Sequence, residues 1–156
     1  MAVKAVIDTN VWVSALINPF GHPARLRKCF ENGDFIAVIS EPILSEIADV
    51  LSRPRIRDKY DIAPEDIQEL LILIEEKAEH VIVSGKIDVC RDKDDNLVIE
   101  TAIKGNAQYL VTRDDDIKFD KKVSDFLLQH GIAVLTVEKT IKLLSNPHGI
   151  GNASII

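Results

Sequence analysis

Asp8, Glu46, Asp95 and Asp114 stand where a soluble chain rarely puts an acid, at the end of an apolar run or on the apolar face of a helix. Carboxylates gathered into one pocket repel one another, and a divalent cation is the usual way of making them tolerable. Asp8 follows Val6 and Ile7, and Asp114 follows Leu110, Val111, Thr112 and Arg113, so both acids close strand-like runs. Glu46 lies three residues after Ile43 and four before Val50, on the inward side of a helical stripe that also holds Ile47 and Leu51. An unpartnered carboxylate buried there would cost on the order of several kcal/mol. Asp95 lies three residues before Val98 and seven before Ala102, which turns it towards the same core. Such a set makes the chain a candidate metal-dependent enzyme.

Each acid also has an ordinary reading. Asp8 alone would start a turn or cap the next helix. Asp92, Asp94 and Asp95 open a helix, where the macrodipole favours negative charge; Asp94 is a weaker ligand candidate than Asp95. Asp114, Asp115 and Asp116 could be a solvated loop, with Asp116 as an assisting ligand. Asn10 and Thr112 are small polar groups beside the acids, suited to orienting ligands or to capping. His22, His80, His130 and His148 fall in loops or at helix ends, so none is expected to act as a general base. Trp12 sits in an apolar helix and is more at home in a core than against a base.

The elements that must position these residues alternate. Apolar strand-like runs at 3–7, 35–39, 81–83, 109–111 and 133–135 are separated by helical patterns at 10–16, 23–31, 40–52, 64–79, 93–104, 122–130 and 137–144, with a short helix possible at 55–60. Ser40 is expected to cap the third helix, with Glu41 and Pro42 in its first turn. Turns are expected at Asn32-Gly33, and helix ends at Gly105 and Gly131. Strand–helix alternation implies a parallel sheet with helices on both faces, whose strand C-termini share the ligand-binding edge. That edge is where Asp8 and Asp114 emerge. One domain over 1–144 with a flexible tail over 145–156 is expected.

The 156 residues are 46% hydrophobic, which excludes a disordered chain, and the net charge of −6 argues against a general nucleic-acid coat protein. Cys29 and Cys90 form no zinc or disulfide pattern. Neither a signal peptide nor a run of 18 apolar residues is present, so a soluble, cytoplasmic protein without membrane contact is expected. Arg53, Arg55, Arg57 and Lys59 alternate along one segment. They form a basic strip, extended by Arg113 and Lys118, that would suit a nucleic-acid backbone; for any single residue of it a solvated face is the plainer reading.

Five segments taken in order resemble the PIN-domain ribonucleases, and among them the VapC-like toxins of toxin–antitoxin systems. They are Val6-Ile7-Asp8-Thr9-Asn10-Val11-Trp12, the run 40–47 around Glu46, Leu51-Ser52-Arg53-Pro54, Arg91-Asp92-Lys93-Asp94-Asp95-Asn96, and Tyr109 to Asp114. The resemblance implies a three-layer α/β/α PIN-like fold with a five-stranded parallel sheet, and Mg²⁺- or Mn²⁺-dependent cleavage of single-stranded RNA. It places the family's four acids on Asp8, Glu46, Asp95 and Asp114, and its small polar residues on Asn10 and Thr112. It also implies a cognate antitoxin and a homodimer; the amphipathic helix over 64–79 is one candidate contact, and packing on its own domain explains that helix equally well. Lys93 departs from the proline expected in this subgroup's turn. A haloacid-dehalogenase-type phosphatase would need an acid at Asn10, and a receiver domain an acid after Val81-Ile82-Val83. A non-catalytic RNA- or partner-binding module of the same fold is the alternative of a different class.

Overall fold

In the computed structural model, residues 2–113 and 121–145 are described. Five strands form one parallel sheet: β1 (Lys4–Ile7), β2 (Ile36–Ser40), β3 (Glu79–Val81), β4 (Tyr109–Thr112) and β5 (Ala133–Thr136), in the order β3-β2-β1-β4-β5. Helices α1 (Thr9–Ile17) and α2 (His22–Glu31) join β1 to β2. Helices α3 (Glu41–Ser52), α4 (Pro54–Arg57) and α5 (Pro64–Lys77) join β2 to β3. Helix α6 (Lys93–Lys104) crosses from β3 to β4, α7 (Lys121–Gln129) from β4 to β5, and α8 (Val137–Ser145) follows β5. Helices cover both faces, giving the expected three-layer α/β/α architecture. Parallel strands need such crossovers, and burial on both faces explains why the central β1, β2 and β4 read as continuous apolar runs.

Strand register sets the position of everything at the C-terminal edge. Ala5, Val6 and Ile7 pair with Tyr109, Leu110 and Val111, while Lys4 and Ala5 pair with Ile36 and Ala37. The first connections run from β1 outwards through β2 to β3; the chain then returns past β1 to β4 and β5. The order therefore reverses between β1 and β4, and ligands of open parallel sheets bind at such switch points.

Two local expectations are corrected. The third strand is Glu79–Val81, earlier than the run 81–83. Val81 pairs with Ser40, the last residue of β2, so beyond it no partner strand remains, and Ile82 turns out to solvent. Ser40 makes no side-chain cap to α3. Its hydroxyl lies 2.7 Å from that of Thr101 on α6. Thr101 already donates to the Leu97 carbonyl, so Ser40 is the donor, and the bond ties the end of β2 to α6. The stripe predicted for α5 does face the core: Leu70, Ile74 and Ala78 are buried, with Ile67 and Leu71 packed at its margin.

Helix ends follow the expected chemistry at two glycines. Gly33 (φ 78°) and Gly131 (φ 75°) take the left-handed conformation just past α2 and α7. Each is followed by a residue whose N–H returns to the helix, Asp34 to Cys29 and Ile132 to Leu127, at 2.9 Å. Pro54 opens α4 with Arg53 extended before it, as proline requires.

Candidate active site

Asp8 follows β1 at the switch point. Its N–H donates to the Val111 carbonyl at 3.0 Å, continuing the pairing with β4, and its own carbonyl accepts the first bonds of α1 from Val11 and Trp12. The side chain makes no capping bond to α1, although the residue occupies the N-cap position and is only 6% exposed. The capping explanation of this acid is removed. Thr112 ends the neighbouring β4 and is buried; Asn10, half-buried, is in the first turn of α1. Arg113 follows at the surface. Asp114, Asp116 and Lys118 lie outside the described residues, as does His148.

Glu46 and Asp94 line one cavity of about 330 Å³ between α3 and α6, together with Asp49, Arg53, Leu97 and Val98. Glu46 is half-buried in its wall, which fits its place beside the buried Ile43 and Ile47. Asp95, next along α6, is half-buried. Asp92 has the purely structural role open to one acid of this run: it caps α6 and accepts from the Asp94 N–H at 2.9 Å. Lys93 takes the first helical position, the one that proline would also suit. Among the described residues no three His, Cys, Asp or Glu side chains form a group that could hold a metal ion by themselves. The fourth acid expected there, Asp114, is not among them.

Of the candidate basic strip, Arg53 reaches the acids: it lines the cavity and donates to Asp49 at 2.8 Å. Arg55 and Arg57 lie on the single turn of α4, and Arg57 stands 3.7 Å from Asp58. Trp12 does not belong to a nucleic-acid surface. It is 2% exposed and meets the Phe30 ring edge-on at 5.3 Å, in the core. The histidines have other uses. His80 bonds to the Glu75 carbonyl and His130 to that of Phe126, while exposed His22 opens α2. Cys29 is a free thiol pushed upward by burial and by Asp34, which suits it poorly as a nucleophile.

Glu100 was not among the expected residues. It lies on α6, 3% exposed, between Ile99 and Thr101. Its carboxylate accepts from the Ser84 N–H (2.6 Å), the Gly85 N–H (2.9 Å) and the Ser84 hydroxyl (3.0 Å), with Lys104 at 3.5 Å. Burial pushes this carboxyl up, but the donors and the Lys104 charge outweigh it and hold it below the ordinary glutamate range. The signal that selects Glu46, an acid inside a helix's apolar stripe, would have selected Glu100 as well. A depressed folded value means that stability from Glu100 is present above the unfolded value, about 4.3, and is lost as pH falls through the folded one. Glu100→Gln should therefore cost stability at neutral pH and progressively less in acid. Urea midpoints at about pH 7 and pH 3 would show the gap narrowing; a gap independent of pH would contradict it.

Comparison with known proteins points one way. The PIN domain family matches residues 4–116. An uncharacterised protein of Methanocaldococcus jannaschii is 34% identical over 115 residues, 74% of this chain and 73% of that protein. Among solved structures, a chain of VapBC2 from Rickettsia felis, crystallised bound to a DNA fragment from its promoter, matches with a TM-score of 0.53. The match covers 86% of this chain and 98% of that one at 19% identity, a likeness of fold.

Proposed function

The chain belongs to the PIN-domain family, and from that membership we propose that it is a metal-dependent ribonuclease hydrolysing phosphodiester bonds of single-stranded RNA, the toxin of a toxin–antitoxin pair. The observation that carries the reading is Asp8. It is a buried acid at the sheet's switch point, with no capping duty, between the end of β4 and the crossover helices.

The donors fit a hard cation, since every candidate ligand is a carboxylate. Asp8, Glu46, Asp95 and Asp114 would hold Mg²⁺ or Mn²⁺, with Asp94 available from the cavity wall and Asp116 as a further candidate. When bound, such an ion supplies an activated water and positive charge at the phosphate oxygens. Asn10 in α1 and Thr112 in β4 would orient the acids or a phosphate. Arg53 brings a guanidinium to the cavity that Glu46 and Asp94 line, offsetting acid that would otherwise repel a polyanion.

Labelled single-stranded RNA incubated with the purified chain should be cut in Mg²⁺ or Mn²⁺ and left intact in EDTA. Cleavage that survives chelation would overturn the mechanism. Arg53→Ala combined with Arg55→Ala should make the logarithmic salt dependence of RNA binding shallower by about 1.4, at roughly 0.7 for each lost phosphate contact on a single strand. An unchanged slope would discard the strip.

A cognate antitoxin, a homodimer and a cytoplasmic location are part of the proposal. A VapBC2 chain as structural neighbour supports the antitoxin. The apolar stripe of α5 is occupied by its own domain, so a dimer contact there would use its outer face, where Ile72 is exposed. No described helix is long and apolar enough to cross a membrane.

A further inference from the structure

Between β3 and α6 the chain runs through residues 82–92 without regular structure, yet both ends of this loop are fastened to α6. Glu100 holds Ser84 and Gly85, as described above. Asn96, buried in the second turn of the helix, holds the other end. Its Oδ1 accepts from the N–H groups of Val89 (3.0 Å) and Cys90 (2.8 Å), and its Nδ2 donates to the Cys90 carbonyl (3.2 Å). A loop pinned at both ends by buried side chains keeps the shape of what it encloses. Here it encloses a second cavity, of about 460 Å³, lined by Lys86, Ile87, Asp88, Lys93, Asn96 and Leu97.

The chemistry of this cavity differs from that of its neighbour. The first is ringed by acids; the second carries two ammonium groups, Lys86 and Lys93, both exposed and neither in an ion pair among the described residues. Ile87 and Leu97 give it an aliphatic wall, and Asp88 an acceptor at its rim. Leu97 lines both cavities, and Lys93 precedes Asp94, so the two share a wall at the start of α6.

We propose that this second cavity is a substrate subsite, which receives the nucleotide of single-stranded RNA next to the one being cleaved. The proposal rests on the nuclease reading for what happens in the first cavity, but its own observable is binding. An aliphatic wall takes the face of an unstacked base, the two lysines take its phosphates, and Asp88 accepts from a base amino group. Single strands offer splayed bases for such a pocket, whereas the bases of a duplex are stacked and paired. The volume falls within the range of small-ligand sites, about 300–1,000 Å³.

The test uses the whole chain and a fluorescein-labelled single-stranded RNA of about a dozen nucleotides, in EDTA so that binding is read without cleavage. Lys86→Ala with Lys93→Ala should weaken binding on the order of ten-fold at 0.1 M salt and make the salt slope shallower by about 1.4. Ile87→Ser should weaken binding with the slope unchanged, because no charge is lost. Lys142→Ala, on α8, serves as the control and should bind like the wild type. Wild-type affinity in both test variants overturns the subsite. A changed slope with no effect of Ile87→Ser overturns the nucleotide assignment and leaves only phosphate contacts. A wild type that binds RNA through these residues but cuts none in Mg²⁺ or Mn²⁺ upholds the subsite and overturns the nuclease reading; one that cuts, with variants that bind normally, does the reverse.

Discussion

Asp8→Asn is expected to reduce cleavage of single-stranded RNA by at least about 10²–10³-fold, the scale on which single electrostatic contributors to a transition state are lost. The substitution keeps size and shape and removes the charge that a hard cation requires of its ligand. Asp8 is a discriminating position for it, because the backbone bonds that join it to β4 and start α1 do not depend on the side chain. The N–H bond to Val111 and the carbonyl bonds from Val11 and Trp12 are untouched by the change. An acid kept for folding would lose stability on replacement; an acid kept for chemistry would lose activity.

Thermal midpoints separate these two cases. Adding Mn²⁺ should raise the wild-type midpoint, since a ligand at a hundred times its Kd contributes about 2.7 kcal/mol, and should leave the variant little changed. Asp94→Asn and Asp95→Asn, compared in the same two assays, would decide which acid of α6 acts beside Asp8, because Asp94 lines the cavity of Glu46 while Asp95 is the one expected from the family pattern. An Asp8→Asn variant that cuts RNA at the wild-type rate would end the proposed mechanism.

Asp8 and Glu46 stood out in the sequence as candidates because each breaks a strong rule. A strand that is buried on both faces has to finish in water or at a site, and Asp8 follows β1 at a position that is still buried. Glu46 was visible as an intruder on an apolar stripe. The alternation that predicts the sheet was equally clear, since parallel strands and crossover helices differ in length and period. What was not legible depended on partners distant in sequence. Ser40 has the composition and position of a helix cap, and local rules assign it that role; Thr101, 61 residues away, takes its hydroxyl instead. The length of β3 was set by where β2 ends rather than by the apolar character of Ile82 and Val83. Asn96 and Glu100 look like ordinary helix residues until the loop that they hold has been placed.

Gly105→Ala should destabilise the fold by about 3 kcal/mol, the upper part of the range for overpacking a core, which for a domain of this size lowers the thermal midpoint by roughly 6–12 °C. Local reasoning gives the opposite sign. Gly105 closes α6 with φ −85°, a conformation open to any residue, and at such a position alanine usually stabilises by about 0.4–1 kcal/mol. The left-handed residue that ends this helix is Asn106 (φ 54°), and the returning bonds come from Asn106 to Ile103 (3.2 Å) and from Ala107 to Ala102 (2.9 Å). Glycine is required at 105 for room. A Cβ there would lie 2.3 Å from Val38 Cγ1 and 3.0 Å from its Cγ2, and Val38 is buried in β2. The clash is larger than the gain in chain entropy, so the steric effect sets the sign. Val38→Ala removes both offending methyl groups, and in a double-mutant cycle it should recover on the order of 1 kcal/mol of the Gly105→Ala loss. If Gly105→Ala alone raises the midpoint, the close approach of α6 to Val38 does not set the sign.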